Sequence, residues 1–192
     1  MKQLVAMLAI VCTCAFASSQ AIAQADLGLK GAGVEVGMVS PEDLDATVGF
    51  GLFVDLGTIA PQFMLEGYFD FWKTSEDLSG LGEASARDIA LGAKGKWIFR
   101  TSNPRIRPFA GGGLGLHFLH AEVDIPDQLI SGFLIPGMTI EDDSVKLGLD
   151  FGGGMNVTLN ERTDFIGELW YGVVSDVNQL SLKVGVLYKL GM

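Results

Sequence analysis

Cysteine is almost absent from the chain, and its two cysteines, Cys12 and Cys14, both lie in an N-terminal apolar run. This run, from Leu4 to Ala17, is preceded by Lys2 and is too short to span a bilayer as a helix. Small residues suited to cleavage follow it, which completes the pattern of a secretory signal peptide. We therefore expect residues 1–23 to be removed on export, leaving a protein without thiols, disulfides or cysteine metal ligands.

Long hydrophobic runs are missing from the remaining domain, residues 24–192, although 48% of the sequence is hydrophobic. No later stretch approaches the roughly 18 to 20 apolar residues of a transmembrane helix. Basic residues are scarce as well, and the formal net charge of −10 makes nucleic acid a poor partner, because phosphate binding needs clustered lysines and arginines. The 26 glycines follow no collagen-like period. An apolar, glycine-rich chain without a helical span indicates β structure.

The strongest positive signal is a two-residue alternation of side-chain character. In Gln179–Leu190 the even positions are apolar, whereas the odd positions are mostly polar or small. The segment Ser144–Leu159 repeats this order. Successive side chains of a β-strand point to opposite faces, whereas the stripe of an amphipathic helix recurs every three or four residues. Both segments are therefore predicted strands.

Six further segments alternate in the same way, so the sequence predicts eight strands. Most of them exceed the roughly 5 to 6 residues of ordinary strands and suit the roughly 9 to 11 residues that a tilted strand needs to cross a bilayer. The six are Gly31–Val39, Thr47–Gly57, Pro61–Trp72, Asp88–Arg100, Ile106–Leu119 and Thr163–Val174.

The predicted connectors alternate between short turns and longer loops. Those after the second, fourth and sixth strands are short, and the longer ones are Ser40–Ala46, Lys73–Arg87 and His120–Asp143. The last hairpin, Ser175–Asn178, departs from this order because it is short. One end of the predicted barrel thus carries turns and the other carries loops, as in bacterial outer-membrane barrels.

Alternation alone does not say which face of the barrel points outward. A soluble ligand-binding barrel has its apolar face inside, and a membrane barrel has it outside. The polar face favours the membrane barrel, because it combines glycines with charges of both signs, and a narrow interior needs small residues and paired charges. We expect a lumen ion-pair network of Glu35, Glu66, Asp70, Lys94, Lys96, Arg107, Asp150, Glu168 and Lys183.

The acidic excess of the chain falls in the three long connectors, where only Lys73 and Arg87 oppose it. Its densest group is the run Glu141-Asp142-Asp143. Carboxylates are ligands for Ca²⁺ and Mg²⁺, but no spacing here resembles an EF-hand loop. We expect no cofactor and no specific metal site, and weak cation bridging to lipopolysaccharide phosphates is the simpler hypothesis.

With its signal peptide, alternating strands, unequal connectors and glycine-rich segment Phe109–Gly115, the chain resembles the small outer-membrane β-barrel family that includes the OmpA membrane domain and OmpX. The resemblance implies an all-β fold, an eight-stranded antiparallel up-and-down transmembrane β-barrel in the cell outer membrane. It implies a monomer whose partners are outer-membrane lipid, lipopolysaccharide and, during biogenesis, the barrel-assembly machinery. Family barrels commonly end in an aromatic residue, whereas here Tyr188 precedes the final four residues.

Catalysis is disfavoured by the positions of the histidines, although some eight-stranded barrels modify lipid A. The separation of His117 and His120 is odd, so on a regular strand they face opposite walls unless a bulge intervenes. No serine lies two residues from either histidine to serve as an activated nucleophile. We expect that the protein is not an enzyme.

The third long connector is unusually apolar for a loop in water. It is a candidate interaction patch, and an extension of the hairpin, a lid over the barrel mouth and a locally packed loop are the alternatives. The apolar residues concerned are Leu129, Ile130, Phe133, Leu134 and Ile135.

Together these features predict a protein with a structural or surface-interaction role whose lumen is closed by ion pairs. A small passive channel or a conduit for hydrophobic solutes is the first alternative. A lipid A-modifying enzyme and a soluble ligand-binding barrel are less favoured.

Overall fold

The computed structural model describes residues 25–42, 44–77, 83–126, 128–130, 133–135, 137–175 and 177–191, so the predicted signal peptide lies outside the described residues. No helix within these ranges is long and apolar enough to cross a membrane. The described chain instead forms strands β1 (Asp26–Pro41), β2 (Thr47–Ala60), β3 (Phe63–Asp77), β4 (Glu83–Ile98), β5 (Ile106–Ile125), β6 (Gln128–Ile130), β7 (Phe133–Ile135), β8 (Met138–Asn160), β9 (Thr163–Val174) and β10 (Gln179–Lys189).

The eight long strands form one closed antiparallel barrel in the order β1-β10-β9-β8-β5-β4-β3-β2. Closure comes from β1 and β10, which pair from Gly31 opposite Lys189 to Pro41 opposite Gln179. Because every long strand has a partner on both sides, the barrel leaves no free edge. The predicted eight-stranded antiparallel up-and-down barrel is confirmed.

Two of the predicted long connectors are wrong over most of their length, because the strands run further. In place of the loop Lys73–Arg87, β3 and β4 pair as far as Asp77 opposite Glu83. In place of His120–Asp143, β5 and β8 pair as far as Ile125 opposite Met138. These extensions still alternate, but their outward side chains are mostly polar and their inward ones mostly apolar or small, the reverse of the membrane-crossing parts; on β5 the outward residues are His120, Glu122 and Asp124. The predicted strands ended where the outward face ceased to be apolar.

The apolar faces of the strands point outward. Along β10, Leu182 and Val184 are exposed while Ser181 and Lys183 between them are buried. Leu182 is 58% exposed, whereas the charged residues Lys94 and Glu66 are 2% exposed. A soluble barrel would have the opposite arrangement. The apolar wall therefore suits lipid, and the charges lie in the lumen.

Glycines in β5 and β8 make room for the large side chains that fill this lumen. A Cβ added at Gly115 would come 2.2 Å from the Tyr68 hydroxyl, and one added at Gly152 would come 2.7 Å from the Trp170 ring. No side chain tolerates such approaches, so these positions require glycine while the aromatic rings stay in place. The glycine-rich segments thus belong to the packing of the interior.

Candidate functional site in the barrel lumen

The central cluster of the lumen joins opposite walls of the barrel. The Lys96 Nζ lies 2.6 Å from one carboxylate oxygen of Glu66 and 2.9 Å from Glu168, and the Lys94 Nζ lies 3.7 Å from Glu168. The lysines belong to β4, whereas Glu168 belongs to β9, three strands away around the ring. All four side chains are almost completely buried. Each carboxylate therefore depends on a lysine for compensation of its charge.

Aromatic rings surround the two lysine ammonium groups. The Lys94 Nζ lies 4.3 Å from the ring centroid of Tyr68 and 4.7 Å from that of Trp170, and the Lys96 Nζ lies 4.7 Å from that of Phe109. A cation within about 6 Å of a ring face is attracted by the ring quadrupole. The rings therefore stabilise the ammonium groups as well as filling space around them.

A second cluster lies around Lys183 on β10. Its Nζ lies 2.9 Å from Glu35 on the adjacent strand β1 and 2.5 Å from Asp70 on β3. In the ring, β3 is three strands from β10, so the contact with Asp70 also crosses the lumen. Lys183 thus compensates two carboxylates, as Lys96 does in the central cluster.

Two further buried contacts extend the polar interior. The Tyr68 hydroxyl donates to Asp150 at 2.7 Å, and the His117 Nδ1 lies 2.7 Å from Asp88. Neither His117 nor Asp88 was among the predicted lumen residues. The available signal was their position in the alternation, because Asp88 shares its face with Lys94, and His117 shares its face with the inward glycines of β5.

At the short-turn end, Asp164 is completely buried between two cations. It pairs with Arg107 and lies 2.7 Å from the Lys189 Nζ. Sequence reasoning assigned Arg107 to the lumen network, but this side chain is 39% exposed and lies at the end of the lumen. Asp164 was missed, although it shares its strand face with Glu168.

A small cavity lies among these side chains. A cavity of about 20 Å³ lies among Trp72, Lys94, His117, Asp150 and Trp170. This volume has room for about one water molecule. The Trp72 indole donates to Gln179 at 2.8 Å on the long-loop side of this cavity.

The histidines lie on opposite walls. His117 is 1% exposed in the lumen, whereas His120 lies on the outer surface with its Nδ1 2.7 Å from Asp143. Among the described residues, no group of three or more histidine, cysteine or acidic side chains is arranged to hold a metal ion.

The candidate interaction patch lies on a separate small hairpin. Strands β6 and β7 pair from Gln128 opposite Ile135 to Ile130 opposite Phe133. In the chain the hairpin lies between the projecting ends of β5 and β8. The side chains of the five predicted patch residues lie outside the described part of the structure.

A family model described as outer membrane protein beta-barrel domain matches residues 4–189. The chain belongs to this family. Its members form barrels of the outer membrane, which is therefore the location of this protein. The suspected relationship to small outer-membrane barrels of the OmpA and OmpX type is confirmed. No curated protein sequence matches the chain.

Solved structures with the same fold include three bacterial outer-membrane proteins. Neisserial surface protein A is 16% identical, with a TM-score of 0.56 over 83% of this chain and 96% of that one. Ail, the attachment invasion locus protein of Yersinia pestis, is 15% identical, with a TM-score of 0.53 over 85% of this chain and 100% of that one. A major outer membrane protein from Thermus thermophilus is 12% identical, with a TM-score of 0.57 over 85% of this chain and 100% of that one. These likenesses concern the fold.

Proposed function

We propose that the protein is a structural or surface-interaction component of the outer membrane and that its lumen is closed to solutes. The observation that carries this proposal is the pair of ionic contacts across the lumen, from Lys96 to Glu168 and from Lys183 to Asp70. Each contact ties together strands that are not neighbours in the ring. A solute passing through the barrel would have to separate both contacts.

Energetics support a stable closure. Removing one partner of a buried ion pair typically costs about 3–5 kcal/mol, because the remaining charge is left without compensation. Lys96 and Lys183 each hold two carboxylates, so a transient opening would separate several such contacts together. The cavity of about 20 Å³ in the lumen has room for about one water, which supports a barrel without a continuous aqueous path.

Planar-bilayer recording tests this closure. The refolded wild-type protein is expected to give no discrete, reproducible openings. The triple variant Glu66→Ala, Lys96→Ala and Glu168→Ala removes the central cluster, and we expect it to conduct, because three large side chains are replaced by methyl groups. Heat-modifiable mobility on a gel identifies folded protein before each recording.

A matched control for the conductance experiment removes three charges from the projecting strands instead, in the variant Glu83→Ala, Glu122→Ala and Asp124→Ala. We expect it to stay closed, as the wild type does. Discrete openings of the wild-type protein, unchanged in amplitude by the central triple variant, would contradict the closed lumen and favour a passive channel.

We also propose the β6–β7 hairpin as the surface that contacts partners. The paired ends of β5 and β8 continue from His120 to Ile125 and from Met138 to Asp143, beyond the apolar band. At about 3.4 Å per residue, six residues carry the hairpin roughly 20 Å from the barrel. Apolar residues at such a tip suit adhesion to another surface better than they suit water.

Replacing the five apolar residues of the hairpin by serine tests this surface. Adhesion of expressing cells to a hydrocarbon-coated surface is expected to fall severalfold, because the apolar tip would be lost. The variant Glu83→Gln with Glu122→Gln, on the same projecting strands, serves as the control and should adhere like the wild type. Equal adhesion of the serine variant, at equal amounts of folded protein, would refute the hairpin as the contact surface.

We propose that the chain is not an enzyme, since His117 and His120 face opposite walls and each is paired with a carboxylate. We further propose that residues 1–23 are removed on export, that the barrel-assembly machinery inserts the domain 24–192, and that it acts as a monomer in contact with lipopolysaccharide. The closed ring of strands supports a monomer, because it leaves no edge for pairing with a second copy.

A further inference from the structure

A row of basic side chains crosses the lipid-facing wall near its long-loop end. Lys73 on β3 is opposite Arg87 on β4, and Arg87 is opposite His120 on β5. Directly paired residues in an antiparallel sheet point to the same face and have Cβ atoms about 4.5–5.5 Å apart. Lys73 and Arg87 are exposed, whereas Asp88 next to Arg87 is buried in the lumen. The three basic side chains therefore form one outward row.

This basic row borders the apolar band. The outward residues one step nearer the barrel centre are Phe71, Ile89 and Phe118, in the same three strands. Phe118 remains 41% exposed on the wall. In a membrane barrel, the end of the apolar band lies at the level of the lipid headgroups. The basic row is therefore placed where phosphate groups of lipids are found.

A cleft of about 300 Å³ lies at this point on the surface of β4, β5 and β8. Its polar part contains Arg87, His120 and Asp143, and its apolar part contains Phe118 and Val145. The His120 ring is engaged by two carboxylates, with its Nδ1 2.7 Å from Asp143 and its Nε2 3.9 Å from Glu122, so Lys73 and Arg87 are the cations of the row that remain exposed. The cleft thus combines a polar upper part, whose one arginine is Arg87, with an apolar floor, and Lys73 stands next to Arg87 outside it. This arrangement suits the two ends of a phosphorylated lipid.

No other described lysine or arginine shares this position. Four lysines lie at strand positions that face the lumen, namely Lys94, Lys96, Lys146 and Lys183. The remaining described lysines and arginines lie near the short-turn end. On the other side of the barrel, the outward residues toward the long-loop end are apolar, among them Met38, Val48, Val173 and Leu180.

Carboxylates lie beyond the basic row on the projecting strands. Glu83 and Glu122 lie further along β4 and β5, on the same outward face as Arg87 and His120. They repel a phosphate from the tip, whereas the apolar band excludes it from the other side. Between these regions, Lys73 and Arg87 provide positive charge that attracts an anionic group.

We propose that Lys73 and Arg87 bind the phosphate of a phosphorylated outer-leaflet lipid, with an acyl chain of that lipid lying on Phe118 and Val145. The Arg87 guanidinium can donate two parallel hydrogen bonds to phosphate oxygens, and Lys73 adds a point charge. This site rests on the outer-membrane location that the family match gives and is independent of whether the lumen conducts.

Native mass spectrometry of the full barrel, released from detergent and titrated with diphosphorylated lipid A, measures this binding. The variant Lys73→Gln with Arg87→Gln is expected to raise the dissociation constant by roughly tenfold or more. Each basic residue near a membrane surface contributes about 1 kcal/mol to the binding free energy of an anionic lipid. The matched control is Arg100→Gln with Arg105→Gln, which removes two exposed cations at the opposite end and should leave binding unchanged.

Two further probes identify which part of the ligand is recognised. Lipid A without phosphates should bind the wild type and the Lys73, Arg87 variant equally weakly. Equal binding of diphosphorylated lipid A to these two proteins, or an equal loss in the control variant, would overturn the proposal. Inorganic phosphate that binds as tightly as the lipid, with the same dependence on Lys73 and Arg87, would overturn the lipid assignment. Conductance recordings of the same variants show whether the lumen is still closed, so that a failure of lipid binding can be told apart from a failure of the proposed closure.

Discussion

Lys96→Met is expected to lower the free energy of unfolding by about 3–5 kcal/mol, because two buried carboxylates lose their shared cation. The Lys96 Nζ contacts Glu66 at 2.6 Å and Glu168 at 2.9 Å, and none of the three side chains is open to water. Methionine keeps most of the volume of lysine, so the loss reports the charge and not a cavity. Urea unfolding in lipid vesicles, followed by tryptophan fluorescence, measures the change.

The double variant Lys96→Met with Glu66→Gln separates charge from packing. It removes one cation and one anion and leaves Glu168 beside Lys94, so it should regain more than half of the lost stability. Lys30→Met removes a surface ion pair with Asp26 and should cost no more than about 1 kcal/mol. If Lys96→Met were as mild as Lys30→Met, the central cluster would not hold the opposite walls together.

The barrel itself could be predicted from the sequence because lipid imposes a strict pattern. A strand that crosses the membrane needs an apolar side chain at every second position, as β10 has from Leu180 to Tyr188, while its inward positions vary. The pattern reverses where the strand leaves the apolar part of the bilayer. Beyond Leu119 on β5 the outward side chains are polar and the inward ones apolar or small, so a prediction that follows the outward apolar face stops there although the paired strand continues.

The partners within the lumen could not be predicted in the same way. Alternation assigns a side chain to a face but gives neither its height in the barrel nor the strand opposite it. That Glu168 reaches Lys96 across the lumen depends on the tilt and stagger of all eight strands. Pairs on adjacent strands, such as Lys183 with Glu35, are easier to predict. The contact of Tyr68 with Asp150 joins distant strands and could be predicted only from the geometry of the closed ring.

The outer wall and the lumen use charge in different ways. Inside, Lys183 is buried between Glu35 and Asp70, so its charge is engaged by the protein. Outside, Lys73 and Arg87 are exposed at the edge of the apolar band and are available to a ligand. A change of an inner lysine is therefore expected to affect stability, whereas a change of an outer one is expected to affect contacts with the membrane.

Val184→Arg is expected to destabilise the barrel by about 2–4 kcal/mol in lipid vesicles, because it places a charge on the lipid-facing wall at the middle of β10. The cost of such a charge falls to about 0–1 kcal/mol near the membrane interface, so Leu190→Arg, just past the end of β10, serves as the control. Urea unfolding in vesicles measures both variants. Equal stabilities of the two variants would mean that Val184 does not face the centre of the bilayer, and the assignment of the outer wall to lipid would fail.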